Sequence, residues 1–510
     1  LFFLSLSPSF AEEGIVAHAE SIGNGDGRIH LIPTLSSTEV KNGEKITISA
    51  LVKAQAGIAR VQADLGGVET VELKPAAMNL GGVNEEETLG LYTADWTARD
   101  LENEVYSVAL AVTDKEGHTY SDRSLAFSDR ASPGTSPKGS PPDAGFGPVG
   151  SAVLATGESN LSSAVIDSAN GYAYFGTYTS TGIVVKVALG SGSDLPIRVG
   201  AVTLNSGENA LISAVIDIAG GYAYFGTSIE GAQLGTPGTV VKVALGSGSN
   251  PPTRVGAVTL NTGEDNLVSA VIDAANAYAY FGTQTNPGIV VKVDLGAGSD
   301  PPTRVGAVTL NTGEDNLGSA VIDAANGYAY FGTQTNPGIV VKVDLGAGSD
   351  PPTRMGAVTL NSGENRLASA VIDPTGGYAY FGTSTVTGIV VKVALGSGSN
   401  PPTRAGAVIL DSGESFLDSA VIDSDEGYAY FGTQGNSPSI VKVDLGSGSD
   451  PPTRVGGVVT LNMGEGVLTT AVIDPDNYYA YFGTNTTPGV VVKVSVPPGP
   501  SDVGSWEIYR

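Results

Sequence analysis

From Leu317 to Leu360 the chain carries four short apolar runs, Leu317–Asp323, Tyr328–Thr333, Gly338–Leu345 and Arg354–Leu360, separated by Gly, Pro, Asn, Asp and Ser. Val, Ile, Tyr and Phe dominate the runs, and none reaches the ~10 residues a helix needs, so each is predicted to be a strand. The first three are apolar on both faces, which predicts a sheet covered by neighbours on either side rather than a two-layer sandwich. The pattern then repeats. Arg254–Thr303 differs from Arg304–Thr353 at two positions, Val268 against Gly318 and Ala277 against Gly327. The tag Ala-Val-Ile-Asp begins at Ala164, Ala214, Ala270, Ala320, Ala370, Ala420 and Ala471, giving seven copies. Units of this kind cannot bury their faces alone and must stack. Four strands in roughly 50 residues describe one blade of a β-propeller.

The ends of the repeat region point to a closed ring. The seventh copy supplies three strands, ending with Gly489–Val496, and no fourth. A matching strand stands ahead of the first copy, where Pro148–Leu154 aligns with Arg198–Leu204. Completing the last blade with this strand removes two exposed sheet edges. The expected fold is therefore all-β, a seven-bladed β-propeller with four-stranded blades, spanning 148–496. Its inner strand, Asp-x-x-x-Gly turn and Tyr-Ala-Tyr-Phe-Gly-Thr segment resemble the YVTN-type β-propeller repeat family. That resemblance implies a secreted or surface setting but carries no shared activity and no catalytic residue.

Ahead of the ring the pattern changes. Lys45–Val52, Ile58–Leu65, Leu91–Thr97 and Val105–Thr113 alternate apolar and polar residues, as strands with one solvated face do. Residues 31–128 are expected to form a β-sandwich resembling bacterial Ig-like surface modules, which implies a spacer. A Pro- and Gly-rich linker, 129–147, joins it to the ring. Leu1–Ala11 reads as the end of a secretory signal peptide, an apolar stretch closed by Ser9-Phe10-Ala11, and 12–30 as an extension. Residues 497–510 form a C-terminal tail with three readings, the start of a further domain, the start of an anchor, or a segment that packs back on the ring. No other segment has the ~18 apolar residues of a membrane span.

Composition narrows the function. A net charge of −26 repels nucleic acid and anionic membrane, and no basic cluster reverses it. With no Cys, disulfides and thiolate metal sites are excluded, which suits a bacterial or archaeal exported protein.

Four residue classes recur in register: Glu314 and its equivalents before the first strand, Asp323 at its end, Thr333 ending the second, and Lys342 inside the third. A Lys flanked by Val in a covered strand needs a partner, so a Glu–Thr–Lys network in every blade is expected. The Asp begins a turn whose fifth residue is Gly except at Ala277 and Tyr478, so a left-handed backbone is not expected there. Most turns offer one carboxylate, too few for a calcium shell; no cofactor is expected, and calcium is the one ion such acidic rings could take. No metal site or catalytic residue is expected, because the three histidines precede the ring and near-identical blades leave little room for a special one.

One departure breaks the symmetry. The segment Thr227–Thr239 is longer than its counterparts, and Ile229, Glu230, Gln233 and Leu234 are the candidate binding residues it carries. The expected function is that of an exported, cell-surface interaction or structural scaffold whose partner is a protein or glycan. The alternative is a propeller enzyme, a lyase or hydrolase of extracellular polysaccharide. Unlike, charged residues at one channel mouth favour the enzyme; a mouth lined seven times by one residue favours the scaffold.

Overall fold

The computed structural model describes residues 17–18, 29–35, 39–40, 43–54, 57–65, 69–76, 88–99, 105–116, 119–129, 146–228, 236–434, 438–461 and 465–497. The chain divides into two compact units, broadly 1–140 and 141–510. It is all-β; among the described residues the helical segments are two single 3-10 turns, Ala274–Asn276 and Ala324–Asn326.

In the first unit, alternation becomes burial. Lys45–Ala54 buries Ile46, Ile48, Ala50, Val52 and Ala54, and Val105–Asp114 buries Val108, Leu110 and Val112. These strands lie in two different five-stranded sheets. Their buried residues form one core that also takes in Trp96, so the two sheets pack face to face.

In the second unit the first five repeats each make one four-stranded antiparallel sheet in chain order. The sixth makes a sheet whose outer strand is split in two, and the seventh completes four strands with one from ahead of the first repeat. The third is typical, with Leu267–Asp273 innermost, then Tyr278–Thr283, Ile289–Asp294 and Thr303–Thr309 outermost. Adjacent side chains on a strand face opposite ways. Tyr280 and Val290 therefore pack on the fourth sheet's Phe331 and Val341, while Phe281 and Val291 pack back on the second sheet's Tyr224 and Val240. All of them are fully or almost fully buried. Each such side chain contributes roughly 1.5–3 kcal/mol. The glycine of Tyr-Ala-Tyr-Phe-Gly-Thr follows from this closeness. A Cβ on Gly282 would stand 2.9 Å from Leu317 Cβ of the next sheet.

The ring closes as the repeat count requires. Gly147–Val153 pairs antiparallel with Val490–Ser495, Val153 opposite Val490 and Gly147 opposite Ser495. The seventh sheet then meets the first in the way others meet their neighbours. Tyr481 donates its hydroxyl to Leu189 O at 3.1 Å, as Tyr224 does to Leu295 O at 3.0 Å. Repeated four-stranded sheets stacked around an axis make this unit a β-propeller. In the sixth sheet the extra residue near Gly456 splits the outer strand into Thr453–Arg454 and Val459–Thr460.

Candidate functional site

Alternation along the inner strands separates residues that pack between sheets from residues that are only partly covered. In the first sheet Leu161, Ser163, Val165 and Asp167 are buried, while Ser162, Ala164 and Ile166 are only partly covered. The buried serine ties neighbours together: Ser163 donates to Leu211 O at 2.6 Å. The partly covered residues face the axis and line the channel. Two rungs of that lining are uniform, seven Ala from Ala164 to Ala471 and seven Ile from Ile166 to Ile473. The rung above them is Ser162, Ile212, Val268, Gly318, Ala368, Asp418 and Thr469, and no two are alike.

This rung floors a cavity of about 560 Å³, walled by the residues that follow the second strands, among them Tyr178, Ser228, Gln284, Gln334 and Ser384. The two near-identical repeats differ here. A Cβ on Gly318 would meet Gln334 Cγ at 2.6 Å, so Gln334 folds over a space that Val268 fills in the preceding sheet. The mouth is thus not lined seven times by one residue, and of the two discriminating conditions neither is met in full: its residues are unlike, but Asp418 is the charged one among the described residues.

Asp418 is the one carboxylate among the described residues lining this cavity. Gln434 donates its amide to Oδ2, while Oδ1 is enclosed without a hydrogen bond among the described residues. Burial raises the Asp418 carboxyl above its usual range; Ser384 and the Arg366 charge oppose that without cancelling it.

Beside the main cavity lies a second, about 370 Å³, that shares Gln334 and Ser384 with it and continues to Arg366, Val386 and Phe416. Two of its wall residues, Arg366 and Phe416, belong to a set that recurs around the ring with left-handed backbone. Asn160, Ala210, Asn266, Asn316, Arg366 and Phe416 all have positive φ between 42° and 55°. Each bridges two loops. Arg366, for example, donates its N–H to Thr335 O at 3.0 Å and accepts from Ser384 N–H at 2.8 Å. Asn tolerates this conformation best; Arg and Phe do not.

The Glu–Thr–Lys network separates into three unconnected arrangements. Glu314 is held by Arg354, with Nε 2.8 Å from Oε2 and Nη2 2.5 Å from Oε1, and it also caps Asn311 N–H at 2.9 Å. Thr333 accepts Ile339 N–H at 2.9 Å and bonds Thr335, pinning the loop to the third strand. Lys342 points to backbone of the next sheet, donating to Gly396 O at 2.6 Å and Gly398 O at 2.8 Å over the ring of Tyr328. Sharing an element end was mistaken for sharing a partner; Glu has its cation in the outer strand of its own repeat.

The turn after the inner strand also corrects its forecast. Ala277 and Tyr478 have φ of 60° and 59°, so the position is left-handed even without Gly. The carboxylate of Asp273 accepts from Asn276, three residues on. The candidate residues Ile229, Glu230, Gln233 and Leu234 lie outside the described residues; Ser228, immediately before them, lines the main cavity. Sequence reasoning passed over the mouth because it looked for residues recurring in register. The signal was the reverse, a position that changes in every repeat.

No family model matches the chain, and no curated protein is significantly similar to it in sequence. Solved structures are similar in fold. The WD40 repeats of RRP9 match at 9% identity over 70% of this chain and 99% of that one, TM-score 0.49. Saccharomyces cerevisiae Sqt1 matches at 12% identity over 67% and 83%, TM-score 0.45. A candidate 6-phosphogluconolactonase from Bacteroides uniformis matches at 11% identity over 70% and 93%, TM-score 0.48. Among the described residues no helix is long and apolar enough to cross a membrane.

Proposed function

We propose that the chain is an exported, surface-associated protein in which an Ig-like spacer carries a seven-bladed, YVTN-type propeller, and that the propeller is a non-catalytic binding module whose ligand sits at the channel mouth. One observation carries this reading: the rung of Ser162, Ile212, Val268, Gly318, Ala368, Asp418 and Thr469 differs in every repeat, as a specific binding site does, yet Asp418 is the single charged residue among the described residues of the cavity it floors. Residues that pack sheet on sheet are fixed by shape, and those freed from packing are available for recognition. Ile229, Glu230, Gln233 and Leu234 are kept as candidate binding residues because they follow in sequence directly on Ser228, which lines the cavity.

The enzymatic reading draws support from the unlike residues of that mouth and from the raised Asp418 carboxyl. Hydrolysis of a glycoside needs two carboxyl groups about 5–10 Å apart. Asp418 stands without a second carboxylate among the described cavity residues, which favours binding.

The experiment is binding of the full chain to purified cell-envelope fractions, with Asp418→Ala and Gln284→Ala as variants. Loss of binding in both, with melting not lowered and no released product, is expected. Binding indifferent to both variants, or product release by the unaltered chain, would sink the module reading.

A further inference from the structure

The mouth is asymmetric, and its richest side lies over the fourth, fifth and sixth sheets. There two adjoining cavities share Gln334 and Ser384 as wall, with Asp418 at the floor of one and Phe416 and Arg366 at the rim of the other, and together they make a trough of two compartments. Val386 is 76% exposed on the same rim. Resting on the binding-module reading, we infer that this trough is a saccharide subsite that takes a neutral pyranose unit of a glycan.

The chemistry of the walls selects that class. Gln334, Asn365 and Ser384 carry groups that both donate and accept, which matches hydroxyls that do the same. Asn365 Oδ1 and Asp418 Oδ1 are enclosed oxygens without a close hydrogen bond among the described residues; the Asn365 oxygen has counterparts at Asn209 and Asp315 in other repeats, whereas Asp418 is peculiar to this side and stands beside the Ser384 hydroxyl. Phe416 and Val386 offer an apolar surface beside them, which suits the C–H face of a sugar ring. Arg366 and Asp418 supply one charge of each sign, so the trough has no net preference for an ionic ligand. A protein partner would need a wider apolar centre than one Phe and one Val provide.

Backbone strain supplies the independent argument. Six repeats hold a left-handed residue at this position, and three use Asn. Arg366 and Phe416 are large side chains in the same conformation, both on the trough. Ala210 holds the same conformation with no side chain to use beyond a methyl, so the backbone shape belongs to the repeat; what is particular to this side of the mouth is that large side chains are kept there at a position that disfavours them.

The strain also gives a variant that separates binding from folding. Phe416→Asn installs the residue found at Asn160, Asn266 and Asn316, removes the ring and leaves the backbone hydrogen bonds in place. The full chain is titrated calorimetrically with neutral oligomers of glucose, mannose, galactose and N-acetylglucosamine. Binding to at least one series is expected, weakened at least about tenfold by Phe416→Asn, whose melting temperature is unchanged or higher. Asp418→Asn should weaken the same ligand. The inference is overturned if no series binds, or if Phe416→Asn binds as tightly as the unaltered chain. Peptides selected from a displayed library that depend on Phe416, with no sugar bound, would also overturn it while leaving the binding module standing. Cleavage of a bound oligomer, abolished by Asp418→Asn, would instead remove the non-catalytic reading and keep the saccharide site.

Discussion

Arg354 closes on Glu314 across forty residues of chain with two nitrogens on two oxygens, Nε at 2.8 Å and Nη2 at 2.5 Å. Glu314 is buried, and Arg354 keeps a quarter of its side chain in solvent. Bidentate geometry and a buried acceptor make this stronger than a surface pair. Arg354→Ala leaves the carboxylate without its cation and should cost about 1–3 kcal/mol, read from denaturant midpoints. Glu314→Gln, which removes the stranded charge as well, should recover part of that in the double variant. No recovery would mean that the pair is not coupled.

Lys342 tests the separation of the arrangements. Its ammonium serves carbonyls of the next sheet, so Lys342→Met strands the buried Leu395 O and takes a donor from the more open Gly396 O and Gly398 O, and should cost about 1–3 kcal/mol. Because Glu314 is bound elsewhere, the cost of Lys342→Met and Glu314→Gln together should add to within about 0.5 kcal/mol. A larger departure from additivity would restore the network that the structure takes apart.

Closure by Gly147–Val153 predicts different outcomes for two truncations. Removing residues 1–140 should leave the ring's melting transition in place. Removing 1–155 takes away the outer strand paired with Val490–Ser495, and should lower the melting temperature and broaden the transition. Identical melting of both would argue against closure through this strand.

Asp418 gives a pH dependence with a definite sign. Its folded carboxyl binds a proton more tightly than the unfolded one, so stability falls as pH rises from the ordinary aspartate value near 3.8 through the raised one. Asp418→Asn removes that loss. The variant should melt higher than the unaltered chain at pH 7, and the gap should close below pH 3.8. A variant less stable at neutral pH would show that Asp418 is held by interactions stronger than its burial.

The repeat made most of the ring legible in the sequence. Tyr330, Phe331, Val340 and Val341 pack between sheets in every copy, so burial on both faces writes a run apolar at every position. Strand closure was legible because Pro148–Leu154 is a displaced copy of something already seen. The polar partners were less so. A Lys that bonds carbonyls leaves no trace in the residues it touches, since Gly396 and Gly398 accept through their backbone. Left-handed backbone at Tyr478 was hidden for a related reason: tertiary contacts hold a bulky residue where propensity alone expects Gly.

The unlike rung at the mouth has a consequence beyond any single ligand. The interfaces joining the second, third, fourth and fifth sheets are built from the same residues in the same places. Exchanging two of these repeats would leave every seam intact while moving Ile212, Val268, Gly318 or Ala368 to a new place around the axis. Architecture and specificity are therefore written in separate alphabets. The order of the repeats spells the mouth, and that order can be rewritten by recombining whole units, with no new contact to be solved between neighbours.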